Sequence, residues 1–225
     1  MSSINEVEKY HWVARRRDAS LGQTRAEDKH TGKRISDLSR GFPPRSLGWN
    51  RSGKSDEDSF DFLEVGCGAR YTAVLVALVS EKCRVWATDI NDIAVENTIE
   101  NAKIHQVDGQ LKAVTANVFD HKEISEKKFD MVYWDFPWFG QHTEPGTQLE
   151  KLMRSIIDPG YQNFRRYLSQ AREVLKKLGR IFVLFSFDLG GKELFDRVVK
   201  ETGWSYKIFF SYERQQIEVS IVEFF

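Results

Sequence analysis

With only two cysteines among 225 residues, the chain has neither a disulfide framework nor a thiolate metal cluster. Cys67 sits inside a glycine turn and Cys83 precedes an apolar run, and both read as plain thiols. No stretch of about eighteen apolar residues is present, so no membrane span is expected. The N-terminus is polar and has no apolar signal region, which makes the cytoplasm the expected location. The five histidines are scattered, without cysteine or carboxylate partners at ligand spacing, and no metal is expected. Net charge is lacking as well: 33 Lys/Arg balance 33 Asp/Glu. There is no internal repeat and no low-complexity tract. The length suits one α/β domain with an appendage and is enough to bury a substantial core.

The charge is unevenly placed. Twelve of the Lys/Arg lie in residues 1–54, among them Arg15-Arg16-Arg17, Lys33-Arg34, Arg40, Arg45 and Arg51, with Trp12 and Trp49 between them. Basic residues interleaved with aromatics can hold phosphates and stacked bases, whereas a solvated leader has the same composition for no ligand's sake. Residues 1–59 show no sustained periodicity beyond one candidate helix near Ile4 to Ala14. They are read as a basic leader that is either a lid or a nucleic-acid arm, and residues 60–225 as the folded domain.

The domain is organised around Asp61-Phe62-Leu63-Glu64-Val65-Gly66-Cys67-Gly68-Ala69-Arg70-Tyr71, followed at once by the apolar run Thr72 to Val79. The pattern predicts a strand, a tight turn and a buried helix. Glycines at 66 and 68 permit backbone angles closed to other residues and let a nucleoside-type ligand lie against the main chain. About twenty residues on, Arg84 to Asp89 predicts a second strand ending in an acid, where a carboxylate can accept both hydroxyls of a ribose. A dinucleotide fingerprint would place a third glycine where Tyr71 stands, which disfavours nicotinamide.

This stretch resembles motif I of the class I S-adenosylmethionine-dependent methyltransferases, an acid-x-Gly-x-Gly turn. The resemblance implies S-adenosylmethionine as cofactor, with Glu64, Gly66, Cys67 and Gly68 at the turn, Asp89 on the ribose and Ile90 beside it. It also places Asn117 and Val118, after a third strand, at the adenine, although an Asn shaping a turn is an equal reading.

The remaining pattern is consistent with that family. Asn91 or Asp92 caps a helix, Leu111–Ala116 and Phe129–Trp134 read as strands, and Tyr161–Lys177 as a helix ended by Gly179. Arg180–Phe185 is a fifth strand and Lys192–Thr202 a helix closed by Gly203. Tyr206–Tyr212 and Ile217–Phe224 form a hairpin across Glu213–Gln216. The expected fold is α/β: a Rossmann-like, mostly parallel seven-stranded sheet with helices on both faces and an antiparallel C-terminal hairpin strand.

The fourth strand runs into Asp135-Phe136-Pro137-Trp138, which resembles the Asn/Asp-Pro-Pro-aromatic motif of methyltransferases acting on amide and exocyclic amine nitrogens, including release-factor glutamine and adenine methyltransferases. A planar nitrogen is a poor nucleophile and must be aimed in line with the methyl donor. The resemblance implies that the Asp135 carboxylate and the Phe136 carbonyl grip its hydrogens, that Pro137 fixes the turn, and that Trp138 offers a flat stacking face. Phe136 departs from the motif's first proline and is expected to add bulk at the mouth. Aspartate in place of asparagine suits an amine entering as a cation. His142, near Glu144, reads as a surface loop residue, with proton acceptor as the alternative. Phe139, Tyr161, Phe185 and Phe187 either wall the pocket or fill the core.

The expected function is S-adenosylmethionine-dependent N-methyl transfer to a small molecule or protein side chain. The alternatives are an adenine amine methyltransferase acting on RNA or DNA, and a non-catalytic cofactor-binding scaffold.

Overall fold

The computed structural model describes residues 59–68, 71–79, 81–140, 156–214 and 216–225. The leader, His142 and Glu144 therefore lie outside the described residues. Among those described, seven strands form one sheet in the order β3-β2-β1-β4-β5-β7-β6. They are β1 (Phe60–Val65), β2 (Cys83–Asp89), β3 (Leu111–Thr115), β4 (Phe129–Trp134), β5 (Leu175–Phe185), β6 (Tyr206–Arg214) and β7 (Ile217–Phe224). The first five run parallel; β7 lies antiparallel between β5 and β6. The expected sheet and hairpin are thus observed.

β1 is buried from Asp61 through Val65, as a central parallel strand covered on both faces must be. The helices are α1 (Thr72–Val79), α2 (Asp92–Ile104), α3 (Lys122–Ser125), α4 (Gln162–Val174) and α5 (Lys192–Glu201). From β1 the chain steps outward one way to β2 and β3, then crosses back and steps the other way to β4 and β5. Right-handed crossovers in opposite directions put α1 and α2 on one face and α3 and α4 on the other. None of the helices among the described residues is long and apolar enough to cross a membrane.

Residue chemistry sets the boundaries. Asn91 caps α2, its side chain accepting from the Ile93 N–H at 3.2 Å. Gly203, at φ +69, follows α5 and ends it as expected. The boundary between α4 and β5 differs from expectation. The helix stops at Val174, and Leu175 is already extended. Leu175 pairs with Phe129 and Arg180 with Met131, so the residues between bulge out of the ladder. There the Lys176 ammonium reaches both Asp61 and Asp130 at 2.7 Å, while the Arg84 guanidinium holds Asp61 at 2.6 and 2.7 Å. Gly179 is no helix cap: it lies in β5, where a Cβ would stand 2.6 Å from the Phe129 carbonyl.

Candidate active site

Strand register assembles the site. Val65 is the partner of both Thr88 on β2 and Trp134 on β4. The next residues along these neighbouring strands are Gly66, Asp89 and Asp135, so three stretches far apart in sequence meet at one edge. Asp89 in turn pairs with Thr115, which brings Asn117 to the same edge. The strand order reverses between β1 and β4, and in open α/β sheets a ligand binds beyond the carboxyl ends of the strands at that reversal.

The glycine turn has steric reasons for its composition. Gly66 has φ +63 and Gly68 φ +54, both in the region that side chains disfavour. A Cβ on Gly66 would also collide with the Trp134 indole nitrogen. The Cys67 N–H donates to the Thr88 carbonyl at 2.8 Å. Its thiol is fully buried and accepts from the Thr98 hydroxyl at 3.3 Å, and burial, with the nearby charges of Glu64 and Asp89, pushes its pKa up. Cys67 therefore offers a ligand backbone, not a nucleophile. Glu64, 1% exposed, accepts the Ala73 N–H at 2.8 Å and so ties β1 to the start of α1.

Each oxygen of Asp89 accepts one backbone N–H: Oδ2 from Gly68 and Oδ1 from Asn91, both at 2.8 Å. The carboxylate is thereby fixed against the turn. Ile90 beside it is 65% exposed, an open apolar surface. Asn117 accepts the Asp120 N–H at its backbone carbonyl. Val118 has φ +61, a buried side chain, and a carbonyl that accepts the Thr88 hydroxyl at 3.2 Å.

The turn after β4 differs from expectation in two side chains. Asp135 is buried at the edge beside the glycine turn, and Pro137 is half-buried. Phe136 does not stand at the mouth. It is fully buried, stacked on Phe164 at 4.5 Å and on Phe185 at 5.5 Å between ring centroids. Strand alternation continues past Trp134, so residues 134 and 136 face the same way, toward α4. Trp138 is 8% exposed, and its indole N–H donates to the Leu184 carbonyl at 3.0 Å, so its face is not open for stacking. Phe139, Tyr161 and Phe185 are core residues too, and Phe187 packs against them.

Two contributors escaped the sequence reading, and a third, Tyr161, reads there only as a pocket wall or core filler. Trp134 roofs Gly66. Asp158, wholly buried, accepts the Asn163 and Phe164 N–H groups at 3.1 and 2.9 Å and so holds the first turn of α4; its burial pushes its pKa up, against the pull of those bonds. An acid five and six residues ahead of the helix's apolar face was the available signal. Tyr161 takes φ +52, a left-handed conformation that costs an aromatic residue about 1–2 kcal/mol. No local pattern announces it.

A family model described as a methyltransferase domain matches residues 56–202. Over 166 residues the chain is 28% identical to a release factor glutamine methyltransferase of Aquifex aeolicus, covering 64% of this chain and 58% of that protein. Over 134 residues it is 25% identical to a tRNA1(Val) (adenine(37)-N6)-methyltransferase of a Flavobacteriaceae bacterium, covering 59% and 54%. The chain thus spans little more than half the length of these relatives. A methyltransferase from Pyrococcus furiosus superposes with a TM-score of 0.52 at 20% identity, covering 83% of this chain and 81% of that one. A TehB-like SAM-dependent methyltransferase from Corynebacterium glutamicum superposes with 0.51 at 15% identity, covering 97% and 98%. Both share the fold described above.

Proposed function

The chain belongs to the methyltransferase-domain family, and from that premise we propose that it transfers a methyl group from S-adenosylmethionine to a nitrogen of a protein side chain or small molecule. The observation that carries the reading is the register of β1 and β4, which sets Asp135 beside Gly66 through the Val65–Trp134 pair. An acid that can accept a substrate N–H then adjoins the turn that would hold the methyl donor.

The residues present fit that donor. Gly68 leaves open the space that a Cβ would fill, and the fixed carboxylate of Asp89 suits two ribose hydroxyls, with Ile90 exposed next to it. S-adenosylmethionine, when bound, supplies an electrophilic methyl on a positively charged sulfur. The protein's own part is orientation and charge. The Asp135 carboxylate and the Phe136 carbonyl accept N–H groups, aim the nitrogen and offset the positive charge that grows on it. Burial of Asp135 strengthens that interaction. The closed face of Trp138 supports an amine or amide acceptor over a nucleobase, which would want an aromatic platform.

Calorimetric titration with S-adenosylhomocysteine, followed by methyl-transfer assays on peptides, small amines and RNA, tests the reading. Binding should weaken at least about tenfold in Asp89→Ala. Asp135→Ala should lose about 10²-fold or more in turnover with binding retained. Unchanged turnover in Asp135→Ala would sink the catalytic assignment, and transfer to RNA alone would replace the acceptor class.

A further inference from the structure

The backbone on the far side of Pro137 is tied down by one short segment, residues 156–161. Its bonds fall on three consecutive carbonyls. The Tyr161 hydroxyl donates to the Trp138 carbonyl at 2.5 Å, the Asp158 N–H to Phe139 at 3.1 Å, and the Gly160 N–H to Gly140 at 2.7 Å. In return the Phe139 N–H donates to the Ile156 carbonyl at 3.1 Å. The Tyr161 oxygen accepts the Gly191 N–H at 3.2 Å, which links the turn after β4 to the start of α5. Burial pushes the Tyr161 pKa up, so the hydroxyl keeps the proton it donates.

The fit is steric as well as polar. A Cβ on Gly140 would collide with the Tyr161 ring. The ring also meets Phe136 edge-on at 5.5 Å between centroids. Gly160 and Tyr161 are consecutive left-handed residues, at φ +65 and +52. The backbone bends there and the hydroxyl reaches back to Trp138. Strain in an aromatic residue persists only where surrounding contacts over-determine it. Here they are the Trp138 carbonyl, the Gly191 N–H and the rings of Phe136, Phe164 and Phe185.

We propose that Tyr161 is a positioning residue for methyl transfer. Its hydroxyl fixes the carbonyl of Trp138, and through it the orientation of the Asp135 carboxylate and Phe136 carbonyl just upstream, against the glycine turn. The proposal rests on the N-methyltransferase reading above. It assigns Tyr161 no contact with substrate. Its effect is on the aim of groups that do make contact, where a displacement of about 1 Å can cost about 10²-fold in rate.

Two variants test it from opposite sides. Tyr161→Phe removes only the oxygen; Gly140→Ala leaves the oxygen and pushes the ring away. Both should lower kcat at least about tenfold, with the Kd for S-adenosylhomocysteine within twofold of the parent and the circular dichroism spectrum unchanged. In the cofactor-free protein, amide hydrogen exchange at Gly191 should quicken in Tyr161→Phe while the amides of β1 keep their protection. A kcat loss that disappears after correction for the folded fraction, or that tracks weaker cofactor binding, would make the role merely structural and overturn the proposal. So would an unchanged kcat in Tyr161→Phe where Asp135→Ala is inactive, and that result would leave the N-methyltransferase reading standing. A parent protein that binds S-adenosylhomocysteine but methylates no nitrogen would overturn both.

Discussion

At Gly66 two constraints meet. The backbone is left-handed, and the Trp134 indole occupies the place where a side chain would begin. Gly66→Ala should therefore cost about 1–2 kcal/mol from the backbone alone, and the displaced indole should disturb the cradle. The expected outcome is a lower urea midpoint together with at least about a tenfold loss of S-adenosylhomocysteine affinity. A variant that loses stability and keeps its affinity would show that no ligand lies against this glycine. The glycine turn and the acid ending β2 were legible in the sequence as local structure, because left-handed glycines after a strand and an acid at the end of the next have a recognisable spacing. Phe136 and Trp138 were only half legible. Motif resemblance names the residues of a turn without saying which way each points, and the inward direction of Phe136 follows from the alternation begun in β4. Tyr161 was legible as a wall or core residue, but its left-handed conformation was not, since it is held by partners distant in sequence.

Among the elements, strands with dense apolar runs were read within a residue or two, since burial on both faces leaves little ambiguity. The junction of α4 with β5 was not. Lys176 and Lys177 continue a helical pattern, yet Lys176 is drawn into the sheet by Asp61 and Asp130, acids more than forty residues away in sequence. Local periodicity contains no record of such partners. The bulge they create depends on Gly179, which passes over the Phe129 carbonyl. Gly179→Ala should destabilise the fold by about 1–3 kcal/mol through overpacking, read as a lower urea midpoint with unchanged slope. An alanine tolerated without loss would mean that the bulge relaxes.

For the whole molecule, acid stability is set by carboxylates held in ion pairs. Burial works to raise the pKa of Asp61, but hydrogen bonds from Arg84 and Lys176 prevail and hold it below 3.8. Glu223 is likewise held below 4.5 against its burial, by Arg180 and Lys207. Lowered folded values contribute stability that is present above these ordinary values and lost as pH falls through the lowered ones. Asp158 works in the opposite sense: burial raises it, so its contribution is complete below 3.8 and declines as pH rises through its folded value. The urea midpoint should drop as pH falls below 4.5, and the Asp61→Asn/Glu223→Gln double variant should show a flatter acid limb. An acid limb as steep as the parent's would place the responsible carboxylates elsewhere.

The topology of the sheet was legible only through family resemblance, because periodicity identifies strands without ordering them. That order has a consequence for biosynthesis. β7 is made after the other six described strands, yet it lies inside the sheet, where Ile181 to Phe185 of β5 pair with Phe224 to Ser220. From the end of β5 to the end of β7 the chain grows by 39 residues, about 2–8 s of translation at about 5–20 residues per second. A chain that lacks β7 leaves β5 with a bare, apolar edge able to recruit a strand from a neighbouring chain. A chain released before the hairpin is complete would carry the glycine turn and Asp135 beside a sheet still open to aggregation.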